Sequence, residues 1–337
     1  MECAGDPPHP PVVGKVTPFS IELLWKNALV LENRQQRVKY IVQEEELGGL
    51  VTKGYGTVYS GFAHRNTFTG LEPRTLYRYR IKYKFDNYET PYSRPVEVAT
   101  TKKPPSGDDL HRAVQKNDIK SVVKLLQVLP NELIHAPDKY GYSALMTVAF
   151  KGFKHLAEIL LENNADVSYQ NNNGKNALLM ACYAGKLEMV KLLREKGAVW
   201  ESSDNNGSTP LHLAVDGGNV DLIRWMIKDG CPVDTKDRTS GWTPLMRLAS
   251  TNGDVNAAEI LIAHKANIDA SDNDRKSVLM MAALNGHSDL VKLLLSKGAK
   301  IDSKSMHNKT ALDFARSFEY EKIVQMLEDK YKEMRFV

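Results

Sequence analysis

The tetrapeptides Ser143-Ala-Leu-Met, Asn176-Ala-Leu-Leu, Thr209-Pro-Leu-His, Thr243-Pro-Leu-Met, Ser277-Val-Leu-Met and Thr310-Ala-Leu-Asp place leucines at 145, 178, 211, 245, 279 and 312. The spacings are 33, 33, 34, 34 and 33 residues. A glycine series keeps step through Gly152, Gly185, Gly218, Gly253 and Gly286, and the added residues fall near 237–241 and 250–252, where loops are expected. Self-similarity at this period requires a linear stack of supersecondary units, because one such unit cannot bury its apolar face alone.

Each unit reads as two short helices and a turn. Thr, Ser or Asn at the start offers a side-chain oxygen to the unpaired first amides of a helix, a contribution of about 1 kcal/mol. Pro210 and Pro244 suit the next position, where an N–H would have no partner anyway. Leu211, Ala214 and Val215 recur at helical spacing, and Gly217-Gly218 ends the helix, since glycine takes the positive φ of a tight C-terminal turn. A second helix follows, as in 187–193 and 289–295, and stops at Gly197, Gly230 and Gly298, with Asn164 in the equivalent place of an earlier copy. The polar links that begin at Asp138 and Asp204 carry the residues of tight hairpins.

This pattern resembles the ankyrin repeat, whose T-P-L-H-x-A signature recurs at 33 residues, and the resemblance covers roughly residues 107–337. It implies an all-α solenoid at 108–337 with units near 108–137, 138–170, 171–203, 204–236, 237–271, 272–304 and 305–337. The first and last units act as caps, which cover the otherwise exposed ends of such a stack. Arg275 and Asn308 replace the hairpin glycine in the last two units. Arginine tolerates positive φ poorly, so the finger before Ser277 is expected to be distorted. His212 stands alone at its site, which otherwise holds Met146, Leu179, Met246, Met280 and Asp313; a catalytic role repeated along the array is therefore excluded. The ankyrin resemblance implies instead that this histidine bridges neighbouring units through hydrogen bonds.

The first hundred residues differ. Short β-rich runs at 21–25, 38–42, 57–60, 75–85 and 96–100 suggest an antiparallel sandwich. Alternation is clearest where Tyr77, Tyr79, Ile81, Tyr83 and Phe85 point one way and Arg78, Arg80, Lys82 and Lys84 the other. Leu71-Glu-Pro-Arg-Thr-Leu-Tyr77 resembles the L-x-P-x-T-x-Y corner of a fibronectin type III domain, with Trp25 in the place of its core tryptophan. Trp25 and Tyr77 are thus fold residues, the tyrosine hydroxyl returning to backbone. The chain is expected to be multidomain: an all-β fibronectin type III-like sandwich at 8–103, a linker at 104–107, and the all-α ankyrin solenoid. This uncommon pairing implies, by resemblance, an intracellular binding protein of nucleus and cytoplasm connected with transcription control.

Charge and cysteine usage narrow the function classes. Of the 45 Lys and Arg and 41 Asp and Glu, residues 1–105 hold 15 and 11, leaving a balanced 30 and 30 beyond them. That balance argues against a whole-chain nucleic-acid binder, which needs clustered cations. Cys3, Cys182 and Cys231 are far apart, so a disulfide framework or zinc knuckle is not readable and a reducing compartment fits. Cys182 and Cys231 read as buried small side chains. No cationic start and apolar run marks a secretory signal, and no window approaches the ~18 apolar residues of a membrane span. Gly54-Tyr-Gly56 could be taken for a phosphate-cradling loop, but its third glycine is replaced by Tyr59, so an ordinary inter-strand loop is expected. No nucleophile–base pair or metal-ligand spacing stands out, so neither catalytic residues nor a cofactor is expected.

What remains is a binding surface. In ankyrin folds the hairpin tips and the ends of the first helices form one concave face, where positions not dictated by packing are free to vary. Those positions hold Lys139, Tyr140, Tyr142, Phe150 and Lys151, then Asn173, Lys175 and Tyr183, then Asn206, Ser208 and Asp216. Thr239, Trp242, Ser250, Asp274, Lys276 and Leu284 follow. Tyr140, Tyr142, Phe150, Tyr183 and Trp242 are the leading candidates, because large exposed aromatics are enriched at binding hot spots. The chain therefore reads as a non-enzymatic, monomeric scaffold for one or more protein partners. The alternative is a nucleic-acid-binding regulator using the stripe Arg78, Arg80, Lys82 and Lys84. Such a stripe is also the ordinary outer face of a half-buried strand, which Glu44-Glu-Glu46 can offset, or a site for an acidic partner.

Overall fold

The computed structural model describes residues 6–26, 38–47, 54–86 and 88–335. The chain divides into two compact units, Met1–Pro104 and Pro105–Val337. In the first, β1 (Val12–Val16), β2 (Ser20–Leu24) and β5 (Arg65–Thr69) form one antiparallel sheet in the order β1-β2-β5. The second sheet runs β4 (Gly56–Gly61), β3 (Lys39–Leu47), β6 (Leu76–Lys84), β7 (Val96–Ala99), also antiparallel. Strands β1 and β5 lie outside the runs expected from the sequence, since β5 buries only Phe68 and β1 buries no residue fully.

The register of β3 on β6 sets Tyr40 opposite Tyr83 and Val42 opposite Ile81, and these residues turn inward. Ile21, Leu23 and Phe68 meet them from the other sheet. Trp25 fills this core with ring centroids 6.1 Å from Tyr40 and 5.4 Å from Tyr59. The corner expected at 71–77 is formed, with the Glu72 amide donating to the Tyr77 hydroxyl at 2.9 Å. Gly54 and Tyr55 make a loop and Gly56 opens β4.

Among the described residues the second unit contains seven successive helix pairs, the first formed by Gly107–Gln115 and Ile119–Leu126 and the last by Ala311–Ser317 and Glu321–Arg335. A further short turn of helix, Asn131–Ile134, follows the first pair. Ser143, Asn176, Thr243, Ser277 and Thr310 each accept the amide three residues on, as a helix cap should. First helices pack on first helices and second helices on second helices, making one apolar core along the whole array.

Two glycines act differently in 217–218. Gly218 has φ 70° and ends the helix, as expected. Gly217 is helical, and a Cβ there would lie 2.3 Å from the Tyr183 carbonyl oxygen of the preceding unit. Its role is close approach of neighbouring helices, not chain reversal.

Five hairpin fingers are each anchored by one acidic or amide side chain, and the last by the Ser305 hydroxyl, which accepts the Lys309 amide at 3.2 Å. Asp138 accepts the amides of Tyr140 and Tyr142, each at 2.9 Å. Asn171, Asp204, Asp237 and Asp272 repeat the arrangement in the next four units. From the second finger onward, successive fingers are then joined through backbone: Asn205 N–H to Asn173 at 3.0 Å, Arg238 to Asn206 at 2.8 Å, Asn273 to Ser240 at 3.0 Å and Met306 to Asp274 at 2.8 Å.

The distortion expected at Arg275 does not occur. Arg275 takes φ 61°, its amide reaches the Asp272 carbonyl at 3.0 Å, and the Asp272 carboxylate holds the amides of Asp274 and Lys276 at 2.9 and 2.7 Å. The finger therefore imposes the left-handed backbone on a residue that resists it. Asn308, at φ 56°, does the same in the last unit. Arg275→Gly is expected to stabilise the array by about 1 kcal/mol through relief of that strain, read as a higher urea midpoint; an unchanged or lower midpoint would show that the arginine side chain contributes what its backbone costs.

Candidate partner-binding surface

The face built by the fingers and the first helices can be described unit by unit. Tyr140, at a finger tip, is 68% exposed. Phe150 and Tyr183, at equivalent positions near the ends of the first helices Ala144–Lys151 and Ala177–Tyr183, are 42% and 50% exposed. Lys139, Lys151, Asn173, Asn206, Thr239 and Asp274 are also exposed, and the Lys139 ammonium lies 4.8 Å from the Tyr140 ring centroid. Asp274 pairs with Lys276 at 2.9 Å, which holds its carboxyl below the usual carboxylate range.

Other sequence-selected positions are occupied by packing. Ser208 is only 3% exposed and so offers no surface; its amide is held by Asp204 at 2.8 Å. Tyr142 and Trp242 are half-buried against the array core, and Trp242 Nε1 donates to Asp272 at 3.4 Å. Lys175, Ser250 and Leu284 are half-buried too. Asp216 receives the Arg247 guanidinium through two bonds of 2.9 Å, a forked pair that ties one unit to the next and raises the arginine's pKa. Arg247 shares that face by its spacing, although an arginine there carries no sign in the sequence that it pairs one unit back.

His212 is fully buried. Its Nε2 lies 2.8 Å from the Trp242 carbonyl, which can only accept, so Nε2 carries the proton. The bare Nδ1 then accepts from the Thr209 amide at 3.2 Å and hydroxyl at 2.8 Å. The side chain thereby caps its own helix and bonds the following unit, the bridging role implied by the ankyrin resemblance. His111 makes the same contact in the first helix pair, Nε2 to the Ala136 carbonyl at 2.8 Å. The signal for it in the sequence is the dipeptide Leu110-His111, which repeats Leu211-His212 ahead of the six full copies.

On the first unit the cationic stripe is largely matched. Arg78 pairs with Glu45 at 3.2 Å and Glu97 at 2.7 Å, while Lys82 and Lys84 share Glu89 at 2.5 and 2.8 Å and depress its pKa to about 2. Arg80 lies between the rings of Tyr55 and Tyr92, at 3.7 and 4.3 Å, and bonds Gln43. Of the three glutamates expected to offset the stripe, only Glu45 does so. Glu44 turns inward to accept the Tyr79 hydroxyl at 2.5 Å, burial raising its pKa, and Glu46 stands opposite Tyr77.

Cys182 and Cys231 are free and buried; burial pushes the Cys182 thiol far up and the Cys231 thiol up to about 12. Cys3 lies outside the described residues. Among the described residues no group of three His, Cys, Asp or Glu is placed to hold a metal ion, and no helix is long and apolar enough to cross a membrane.

Comparison with known proteins places these surfaces in a family. The family described as Ankyrin repeats (3 copies) matches in overlapping segments at residues 110–204, 198–272, 217–305 and 248–335. The Mus musculus fibronectin type 3 and ankyrin repeat domains 1 protein is 52% identical over 280 residues, covering 81% of this chain and 79% of the relative. The Homo sapiens fibronectin type 3 and ankyrin repeat domains protein 1 is 51% identical over 276 residues, with the same coverage of 81% and 79%. Among solved structures, the ankyrin repeat domain of Bcl-3, described as a unique member of the IkappaB protein family, superposes with a TM-score of 0.57 at 24% identity. It covers 66% of this chain and 100% of its own, and the likeness shows the fold.

The buried histidine sets a pH dependence. Burial lowers the His212 pKa below its ordinary 6.5, so the unfolded chain binds this proton more tightly than the folded one. Its contribution is complete above pH 6.5 and is lost as the pH falls from there through the lower folded value. His212→Gln is expected to cost about 1–3 kcal/mol at neutral pH, and the gap between the urea midpoints of the two proteins should narrow towards pH 5. A gap that widens on acidification would contradict the neutral assignment.

Proposed function

This chain belongs to the ankyrin repeat family, in the group that carries a fibronectin type 3 module ahead of the array, and from that premise we propose how it works. The family supports a protein-interaction scaffold. In our reading the array, proposed to span 108–337, holds a protein partner on the face of fingers and first helices, and the module proposed at 8–103 engages a second. The exposure of three large rings, Tyr140, Phe150 and Tyr183, carries this reading. Packing would have buried them, and rigid aromatic anchors dominate binding energy where they reach a partner. Lys139, Lys151, Asn173, Asn206 and Asp274 form the polar rim around them. Residues committed to the stack, Ser208, Asp216, Tyr142 and Trp242, shape the face.

The finer part of the proposal is that this scaffold works in the nucleus and the cytoplasm and takes part in transcription control. The pairing of the two modules, shared with the relatives, supports it. Neither catalysis nor direct nucleic-acid binding is part of the proposal, because the outward cations of the first unit are matched by glutamates and tyrosine rings.

The test is proximity labelling in cells with the full chain and with the variant Tyr140→Ser, Phe150→Ser, Tyr183→Ser. Since the rings are exposed, the variant's urea midpoint should shift by less than about 1 kcal/mol equivalent, while its labelled set loses the partners of the array. An unchanged set of partners would refute the assignment of the face. Labelling confined to cytoplasmic proteins would refute the nuclear part.

A further inference from the structure

The cations and rings of the face are not evenly spread. Beyond Asp216 the face carries two ion pairs, Asp216 with Arg247 and Asp274 with Lys276, beside the exposed finger cations Arg238 and Arg275. The lysines of the face ahead of Asp216 have no such pairs. Lys116, Lys139, Lys151, Lys175 and Lys186 have no carboxylate within ion-pair distance among the described residues. Glu188, in the same region, already holds Lys154 and Lys191.

Three of these lysines lie beside the rings or the helix ends that carry them. Lys139 stands over Tyr140, and Lys151 follows Phe150, its ammonium 3.2 Å from the Gln115 carbonyl at the end of the first helix of the cap. The stem of Lys186 lies across Gly152, where a Cβ would meet its Cδ at 2.9 Å, which brings that lysine beside the helix end that carries Phe150. Phe150 and Tyr183 hold the same position in adjacent units, so they are separated by the packing distance of neighbouring helices, roughly 8–10 Å.

Two apolar rings at that separation inside a frame of unmatched ammonium groups define their ligand. We propose that the first part of the array binds an acidic, extended segment of a protein partner that carries an apolar side chain at every third residue. The spacing follows from the extended left-handed helix, which repeats every three residues at ~3.1 Å each, about 9 Å per turn, and presents every third side chain to one face. Acidic residues at the intervening positions reach the lysines on either side. A nucleic acid offers the charge but not the apolar anchors. This inference rests on the reading of the face as a protein-binding surface, and it adds the chemistry of the partner.

Fluorescence anisotropy on the full chain tests it with a labelled twelve-residue peptide of the repeating unit Glu-Asp-Leu. That peptide should bind, and binding should weaken steeply with salt, because exposed charges are screened over about 10 Å near 0.1 M. Replacing every leucine of the peptide by serine should weaken it at least about tenfold, as should Phe150→Ser with Tyr183→Ser in the protein. Lys151→Glu with Lys186→Glu should weaken binding and flatten the salt dependence, and it serves where the ring variant loses its fold. Val199→Ser, at an exposed apolar residue in the link after the second helix Leu187–Glu195, should leave affinity unchanged.

A serine peptide that binds as tightly as the leucine peptide overturns the proposal. So does a short duplex DNA that binds more tightly than either, or an effect of Val199→Ser as large as that of the ring variant. If cellular partners depend on Tyr140, Phe150 and Tyr183 but the acidic peptide does not bind, this inference fails and the binding face stands. If no partner depends on those rings, the reading beneath it fails as well.

Discussion

A pair of helices seven to nine residues long cannot hide both of its apolar sides, and every interior unit of this array buries them only against the units before and after it. The polar parts obey the same constraint. A finger must keep its own amides bonded while lying flat on its neighbours, and the fingers at 204–208, 237–242 and 272–276 do so through one Asp oxygen within and one backbone bond across. Glycines in the fingers fit that geometry twice over. They take positive φ, and at Gly174, Gly207 and Gly241 a Cβ would come within 2.5 Å of the next finger.

That division of labour explains which residues are left for binding. His212, Asp216, Arg247 and Trp242 look chemically versatile in isolation, yet each is spent on joining adjacent units. The burial that fixes His212 as a neutral bridge also removes it from acid–base work near neutrality, and the burial of the two thiols does the same for their nucleophilic forms. What remains outward on the finger-and-helix face is a set of rings and lysines whose neighbours do not need them. Matched charges on the outer sheet of the first unit make that surface less demanding of a polyanion than its four cations suggest.

Much of the fold was legible because it depends on repetition. Caps such as Ser143 and Thr243, stops such as Gly197 and Gly230, and the corner ending at Tyr77 depend on local chemistry that a sequence displays directly. Less legible were features set by neighbours. The finger at Arg275 keeps its shape because Asp272 and the adjoining fingers over-determine it, and Lys265, at φ 68°, ends its helix where other copies use glycine. Gly217 reads as a stop and proves to be a contact. Strands β1 and β5 sit at the edges of their sheet with little burial, so alternation leaves almost no trace in them. For the binding face, spacing located the positions, but whether a ring at such a position stays free, like Tyr183, or leans into the stack, like Trp242, depends on the residue it meets one unit away.

The central claim is that the fingers from Asn171 to Lys309 form one bonded edge whose stability comes from their neighbours. Residue-resolved hydrogen exchange under native conditions tests it most directly. The account predicts that the amides of Asn205, Arg238, Asn273 and Met306, which cross from finger to finger, exchange as slowly as the amides of the first helices. Exchange of those four amides at the rate of an open loop, while the helices stay protected, would contradict it.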